Sequence, residues 1–148
     1  MSEIALPKID KSIIDKKKEI VKKLSKLTNS DNVLSEADEL RPYETDALSV
    51  YTQTPLAVVL PENTKQVSEI LKYCHEENIK VVPRGAGTGL SGGALPLQDA
   101  ILLGLGKFNQ ILEIDYHNKC VVTQPGVTNL GITHAVEHKG FYYAPDPS

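Results

Sequence analysis

Apolar positions along this chain recur with two different periods, and the changes between them mark its elements. Ile13, Ile20, Leu24 and Leu27 fall on one stripe of a helix over 12–27, behind Ser12 with Asp15 in a capping pattern. Turn formers from Thr28 to Asn32 stop that helix, and an acidic, irregular stretch over 31–46 carries Arg41-Pro42-Tyr43. Leu56 to Leu60 is a valine-rich apolar run between Pro55 and Pro61, the mark of a short buried strand. Asn63 with Gln66 starts a second helix on which Val67, Ile70, Leu71 and Cys74 recur at helical spacing, and Asn78 stops it. A strand over Ile79 to Val82 follows at once, so this strand, helix and strand predict a parallel pair with a right-handed crossover. Further strands are expected at Ile101 to Leu103, Ile111 to Asp115 and Cys120 to Gln124, the last two joined by a turn at His117-Asn118-Lys119. A helix from Thr128 to Lys139, closed by Gly140, completes the pattern. The fold class is α+β, a small mixed sheet with flanking helices on one side.

At 148 residues and 41% apolar content, the chain suits one domain with a real core. No apolar run approaches a membrane span, and the N-terminus lacks a secretory core and cleavage site, which points to the cytoplasm and to no transmembrane segment. Cys74 and Cys120 lack metal-site spacing and read as small core residues. Charge is polarised: residues 1–26 carry eight lysines against four acids (+4), and the remainder eight basic against fifteen acidic residues (−7). The lysines alternate with Asp15 and Glu19 and have no interleaved aromatics, so they read as a solvated helix face and not as a nucleic-acid surface.

Residues 84–93, Arg-Gly-Ala-Gly-Thr-Gly-Leu-Ser-Gly-Gly, hold half of the ten glycines. Glycines packed after a strand allow positive φ and let a bulky anion approach without a Cβ in the way. Successive amides can then converge on phosphate oxygens, with Thr88 and Ser91 adding hydroxyls and Arg84 adding charge. Gly87-Thr88-Gly89-Leu90-Ser91-Gly92 also matches GxGxxG, and Glu113 stands about twenty residues beyond, where a ribose-binding acid belongs in a nicotinamide-binding Rossmann module. That module needs a helix to begin in the loop, but Pro96 would fall in its first turns and Gly104 and Gly106 would break it. A P-loop is excluded because Phe108 follows Gly106-Lys107. His134-Ala135-Val136-Glu137-His138 matches the HxxEH pattern of inverted zinc proteases, a short signal that an ordinary helix surface also produces. Asp46 reads as an exposed loop carboxylate or as a structural contact.

Val81 to Ala94, centred on the glycine loop, resembles the FAD-binding signature of the vanillyl-alcohol oxidase and p-cresol methylhydroxylase type, in the branch of the glycolate oxidase D-subunit and D-lactate dehydrogenases. The resemblance extends in order through Arg41 to Asp46, Pro55 to Pro61, Gln124 to Val127 and Tyr143 to Ser148. It implies that Arg84, Gly85, Ala86, Gly87, Thr88, Gly89, Leu90, Gly92 and Gly93 wrap the FAD pyrophosphate. It also implies that Pro125, Gly126 and Val127 lie along the cofactor, with Ser148 at the start of a further contact. Members with covalent flavin use a histidine in this loop where this sequence has Thr88, so the resemblance implies non-covalent FAD.

The periodicity sets an N-terminal amphipathic helix over 1–30, and the resemblance, which covers the chain from about residue 36, implies a partial FAD-binding domain over 31–148. The rest of the FAD domain and the substrate domain fall outside these residues, so no catalytic residue is expected in them. The implied parent activity is oxidation of a small 2-hydroxy acid, glycolate or D-lactate, with hydride passing to FAD. The alternative is a non-catalytic truncated or split flavin-binding fragment that needs a partner chain to supply the missing half; a Rossmann module stands third.

Overall fold

A computed structural model of the chain describes residues 7–144. The first helix of the sequence reading is two: α1 (Lys11–Asp15) and α2 (Lys17–Leu27), with Lys16 between them at ψ 6°. Its cap is Asp10 and not Ser12, because the Asp10 carboxylate accepts from both the amide and the hydroxyl of Ser12. The stretch expected to be irregular contains a 3-10 turn (Ser30–Asn32), strand β1 (Val33–Leu34), helix α3 (Ala37–Leu40) and a 3-10 turn (Arg41–Tyr43). Glu36 and Glu39 close a reciprocal capping box on α3, which its acidic composition conceals.

Strand β2 (Ala57–Val59) leads to α4 (Thr64–Glu76), whose Asn63 cap accepts from the Gln66 amide as the sequence implied. Asn78, at φ 55°, turns the chain into β3 (Lys80–Arg84), and β4 (Ala100–Gly104) follows the glycine loop. The sheet order is β1-β2-β4-β3, with β1 antiparallel and the other three parallel. The expected strand, helix, strand unit is therefore parallel but its strands are not neighbours, because β4, apolar and buried throughout, takes the central place between them.

Alternation along β2 and β4 divides the core between two faces. Ala57, Val59, Ile101 and Leu103 pack against Ile13, Ile20 and Leu24 of α1 and α2 and against Ile70 and Cys74 of α4. Val58 and Leu102 pack on the other face with Leu40 of α3 and Tyr43. Helices thus cover both faces and not one, while Leu71, read into the apolar stripe of α4, is exposed. β5 (Ile111–Asp115) and β6 (Cys120–Thr123) form a separate antiparallel hairpin. Asp115 accepts from the amide and side chain of Asn118 at its turn, and Cys120 is exposed, contrary to its core assignment. α5 (Asn129–Val136) ends in a 3-10 turn (Glu137–Lys139) closed by Gly140 at φ 78°.

An ion pair between a buried carboxylate and a half-exposed lysine, which the local sequence pattern does not show, fastens the N-terminal helices to the sheet. The Asp99 carboxylate, at the start of β4, accepts from Lys80 Nζ and from the Asp10 amide, each at 2.7 Å. Burial alone would raise the Asp99 carboxyl, but these donors outweigh it and hold it below the ordinary carboxylate value. Among the described residues no helix is long and apolar enough to cross a membrane.

Candidate functional site: the glycine loop

β3 ends at Arg84 and no helix begins before β4, so the arrangement required by the nicotinamide-binding Rossmann reading is not formed. Glu113, its candidate ribose acid, lies in the separate hairpin. Gly87 and Gly92 take φ of 75° and 73°, the left-handed region that side chains with a Cβ enter at a cost. A Cβ on Gly85, Gly89 or Gly93 would meet no heavy atom within 4 Å, so the loop opens at these points toward free space. Among the described residues, no backbone amide from Gly85 to Ala94 donates a hydrogen bond within the chain. Thr88, Leu90 and Ser91 are exposed beside them.

Free donors do not make a site unless something keeps them from folding inward. Three contacts do this here. Arg84 Nη2 donates to the Ala94 carbonyl at 2.6 Å and so closes the loop across its base. The Ala47 amide donates to the Gly87 carbonyl at 2.9 Å, and the Leu95 amide to Gly92 at 3.2 Å. Arg84 is only 7% exposed, and the nearest atom to a Cβ on Gly87 would be Arg84 Cδ at 3.4 Å. The buried Arg84 side chain therefore lies against the loop at Gly87 while its Nη2 reaches Ala94. Burial lowers its proton affinity, opposed by the attraction of Asp46 and Tyr43.

Asp46 is the residue the sequence reading undervalued, because its carboxylate is 6% exposed where solvent was expected. Its acidic, non-periodic surroundings have no hydrophobic spacing that would mark burial; the motif from Arg41 to Asp46 was the available signal.

The second predicted segment reaches the same end of the sheet. The Leu105 amide donates to the Arg84 carbonyl at 2.9 Å, and three residues later Phe108 accepts from the Gly126 amide at 2.6 Å. The turn after β4 thus joins the glycine loop to Pro125, Gly126 and Val127, beyond the C-terminal ends of β3 and β4 where parallel sheets receive ligands. A groove of about 320 Å³, lined by Gly106, Asn109, Gly126, Val127, Thr128 and Gly131, runs beside this segment. A larger cavity of about 460 Å³ lies between the hairpin and α5, lined by Tyr116, Cys120, Ile132 and Tyr142 among others, and shares no lining residue with the glycine loop. Ser148 lies outside the described residues. His134 sits on α5, but the 3-10 turn at Glu137 interrupts the helical period that would align it with His138.

A braced loop whose amides have no acceptor among the described residues, with glycines open to free space and a buried guanidinium against it, fits a diphosphate. The FAD binding domain family matches residues 55–148, and the chain belongs to that family. The chain is 51% identical over 116 residues to "Glycolate oxidase subunit GlcD" of Escherichia coli (strain K12), covering 78% of this chain and 23% of that protein. It is 32% identical over 127 residues to D-2-hydroxyglutarate dehydrogenase of Stutzerimonas stutzeri, covering 86% and 27%. Among solved structures it resembles p-cresol methylhydroxylase with substrate bound, at a TM-score of 0.74 and 28% identity, over 89% of this chain and 26% of that one. The chain therefore spans about a quarter of the length of these proteins.

Proposed function

We propose that the chain is the FAD-binding portion of a flavin-dependent oxidoreductase acting on a small 2-hydroxy acid of the glycolate or D-lactate type. The observation that carries this reading is the braced loop whose amides, from Gly85 to Ala94, have no acceptor among the described residues. Gly85, Ala86, Gly87, Thr88, Gly89, Leu90, Gly92 and Gly93 present backbone donors to the pyrophosphate, and Arg84 adds charge from behind. Pro125, Gly126 and Val127 lie along the nucleotide, and Ser148 begins a further contact. Thr88 is no flavin nucleophile, so FAD is held non-covalently. When bound, FAD supplies the hydride-accepting ring, while these residues orient it and balance its charge. Helices α1 and α2, within the N-terminal segment 1–30, brace the FAD-binding portion over 31–148, and the protein works in the cytoplasm.

A specific feature favours a non-catalytic piece completed by another chain. Leu112 on the hairpin and Leu130 on α5 are 59% and 62% exposed, apolar positions that a partner supplying the other half of the domain would cover. The test is gel filtration of the purified chain after incubation with FAD, comparing wild type with Gly87→Val and assaying turnover of glycolate and D-lactate. Co-eluting flavin that is lost in the variant supports the site. A folded wild type without flavin refutes self-sufficient binding, and turnover by the chain alone refutes the need for a partner.

A further inference from the structure

The turn after Tyr43 braces the glycine loop at Gly87, and it carries a buried carboxylate, Asp46, whose charge favours the proton of the buried Arg84. Asp46 Oδ1 accepts from the Leu48 amide at 2.9 Å and so shapes the turn that aims the Ala47 amide at the Gly87 carbonyl. The same turn sets Leu48 Cδ2 3.8 Å from where a Cβ of Gly92 would lie. The two loop glycines with positive φ, Gly87 and Gly92, are thus backed by Ala47 and Leu48, just after Asp46. On the inner side, Arg84 grips the far end of the loop at Ala94. Among the described residues, Arg84 Nε and Asp46 Oδ2 are buried without hydrogen-bond partners.

We infer that Asp46 and Arg84 form a positioning pair that holds the glycine loop open before the nucleotide arrives, neither side chain touching the diphosphate. The inference rests on the nucleotide-binding reading above. An isolated buried guanidinium is costly, so the cation that closes the loop needs an anion nearby. Asp46 meets that need while its other oxygen shapes the turn. By charge alone a carboxylate behind a diphosphate site opposes the ligand. Its value here is mechanical: it fixes the frame that keeps the loop amides from finding acceptors within the chain.

That difference of sign makes the inference testable on the full chain. In Asp46→Asn, simple electrostatics predicts tighter FAD binding, whereas positioning predicts binding about tenfold weaker, the size of one lost buried polar contact. FAD affinity is read from quenching of flavin fluorescence. In the nucleotide-free protein, ¹⁵N relaxation reads the Gly87, Gly89 and Gly92 amides, whose order parameters should fall from about 0.85 to below about 0.6. Arg84→Lys keeps the charge but loses the planar fork and should weaken binding similarly. If either single variant fails to fold, Asp46→Asn with Arg84→Met removes both charges and should still show a loosened loop and weak binding. A loop that stays ordered, or an affinity that holds or rises in these variants, overturns the inference. A folded wild type that binds no FAD refutes self-sufficient binding, and the order parameters of the nucleotide-free loop in wild type and variants then decide the inference on their own.

Discussion

Gly126 supplies the sharpest test of the architecture around the site. A Cβ built there would lie 2.5 Å from the Leu105 carbonyl oxygen, 2.7 Å from that of Phe108 and 3.1 Å from that of Gly106. All three are backbone atoms, so no rotamer change relieves the clash, and the turn after β4 must separate from the segment after β6. Overpacking of this kind costs about 1–3 kcal/mol, and the hydrogen bond from Gly126 to Phe108 adds about 1 kcal/mol when stretched. Gly126→Ala should therefore lose about 3 kcal/mol, which in a domain of this size lowers Tm by roughly 6–12 °C. Thermal unfolding followed by far-ultraviolet circular dichroism measures it. Gly85→Ala is the control, since a Cβ there meets nothing within 4 Å and should move Tm by no more than about 2 °C. Equal melting of the two variants would refute the claim that Gly126 is a close-approach glycine and Gly85 an open one.

Two further outcomes follow from the buried groups. Asp99→Asn leaves Lys80 without its anion and should cost about 2 kcal/mol at neutral pH, less than for a fully buried pair because Lys80 is half-exposed. Because the folded Asp99 value is depressed, its contribution is present above the ordinary carboxylate range and is lost as pH falls through the lower folded value. Acid unfolding should accordingly be steeper below about pH 4 in wild type than in Asp99→Asn, and equal slopes would sink that assignment. Burial pushes the Cys74 thiol up to about 11, while Cys120 is exposed. A thiol-disulfide reagent at pH 8 should titrate one thiol per native chain and two after unfolding; two at once in the native protein would contradict this packing.

Much of the molecule was legible in local pattern. The run between Pro55 and Pro61, the Asn63 cap with Gln66, the Asn78 stop and the hairpin turn before Cys120 each specify an element by chemistry that acts over a few residues. The glycine loop was legible for the same reason, since positive φ at Gly87 and Gly92 is a property of those residues themselves. That Pro96, Gly104 and Gly106 forbid a helix after it was equally local and separated this loop from a Rossmann turn.

Only the tertiary structure decided what depends on distant partners. Periodicity tells which side of a strand is apolar but not which strand lies beside it, so the central place of β4 between β2 and β3 was hidden. The short helix α3, with little apolar pattern of its own, became visible where Leu40 meets Val58 and Leu102. Asp46, Asp99 and Arg84 belong to the same class. A charged residue is expected in water, and burial is permitted only when a compensating group arrives from elsewhere in the chain: Lys80 for Asp99, the Ala94 carbonyl for Arg84 and the Leu48 amide for Asp46. The residues that receive an anion are written in the glycine pattern, whereas the charges that hold them in place exist as a unit only in the folded chain.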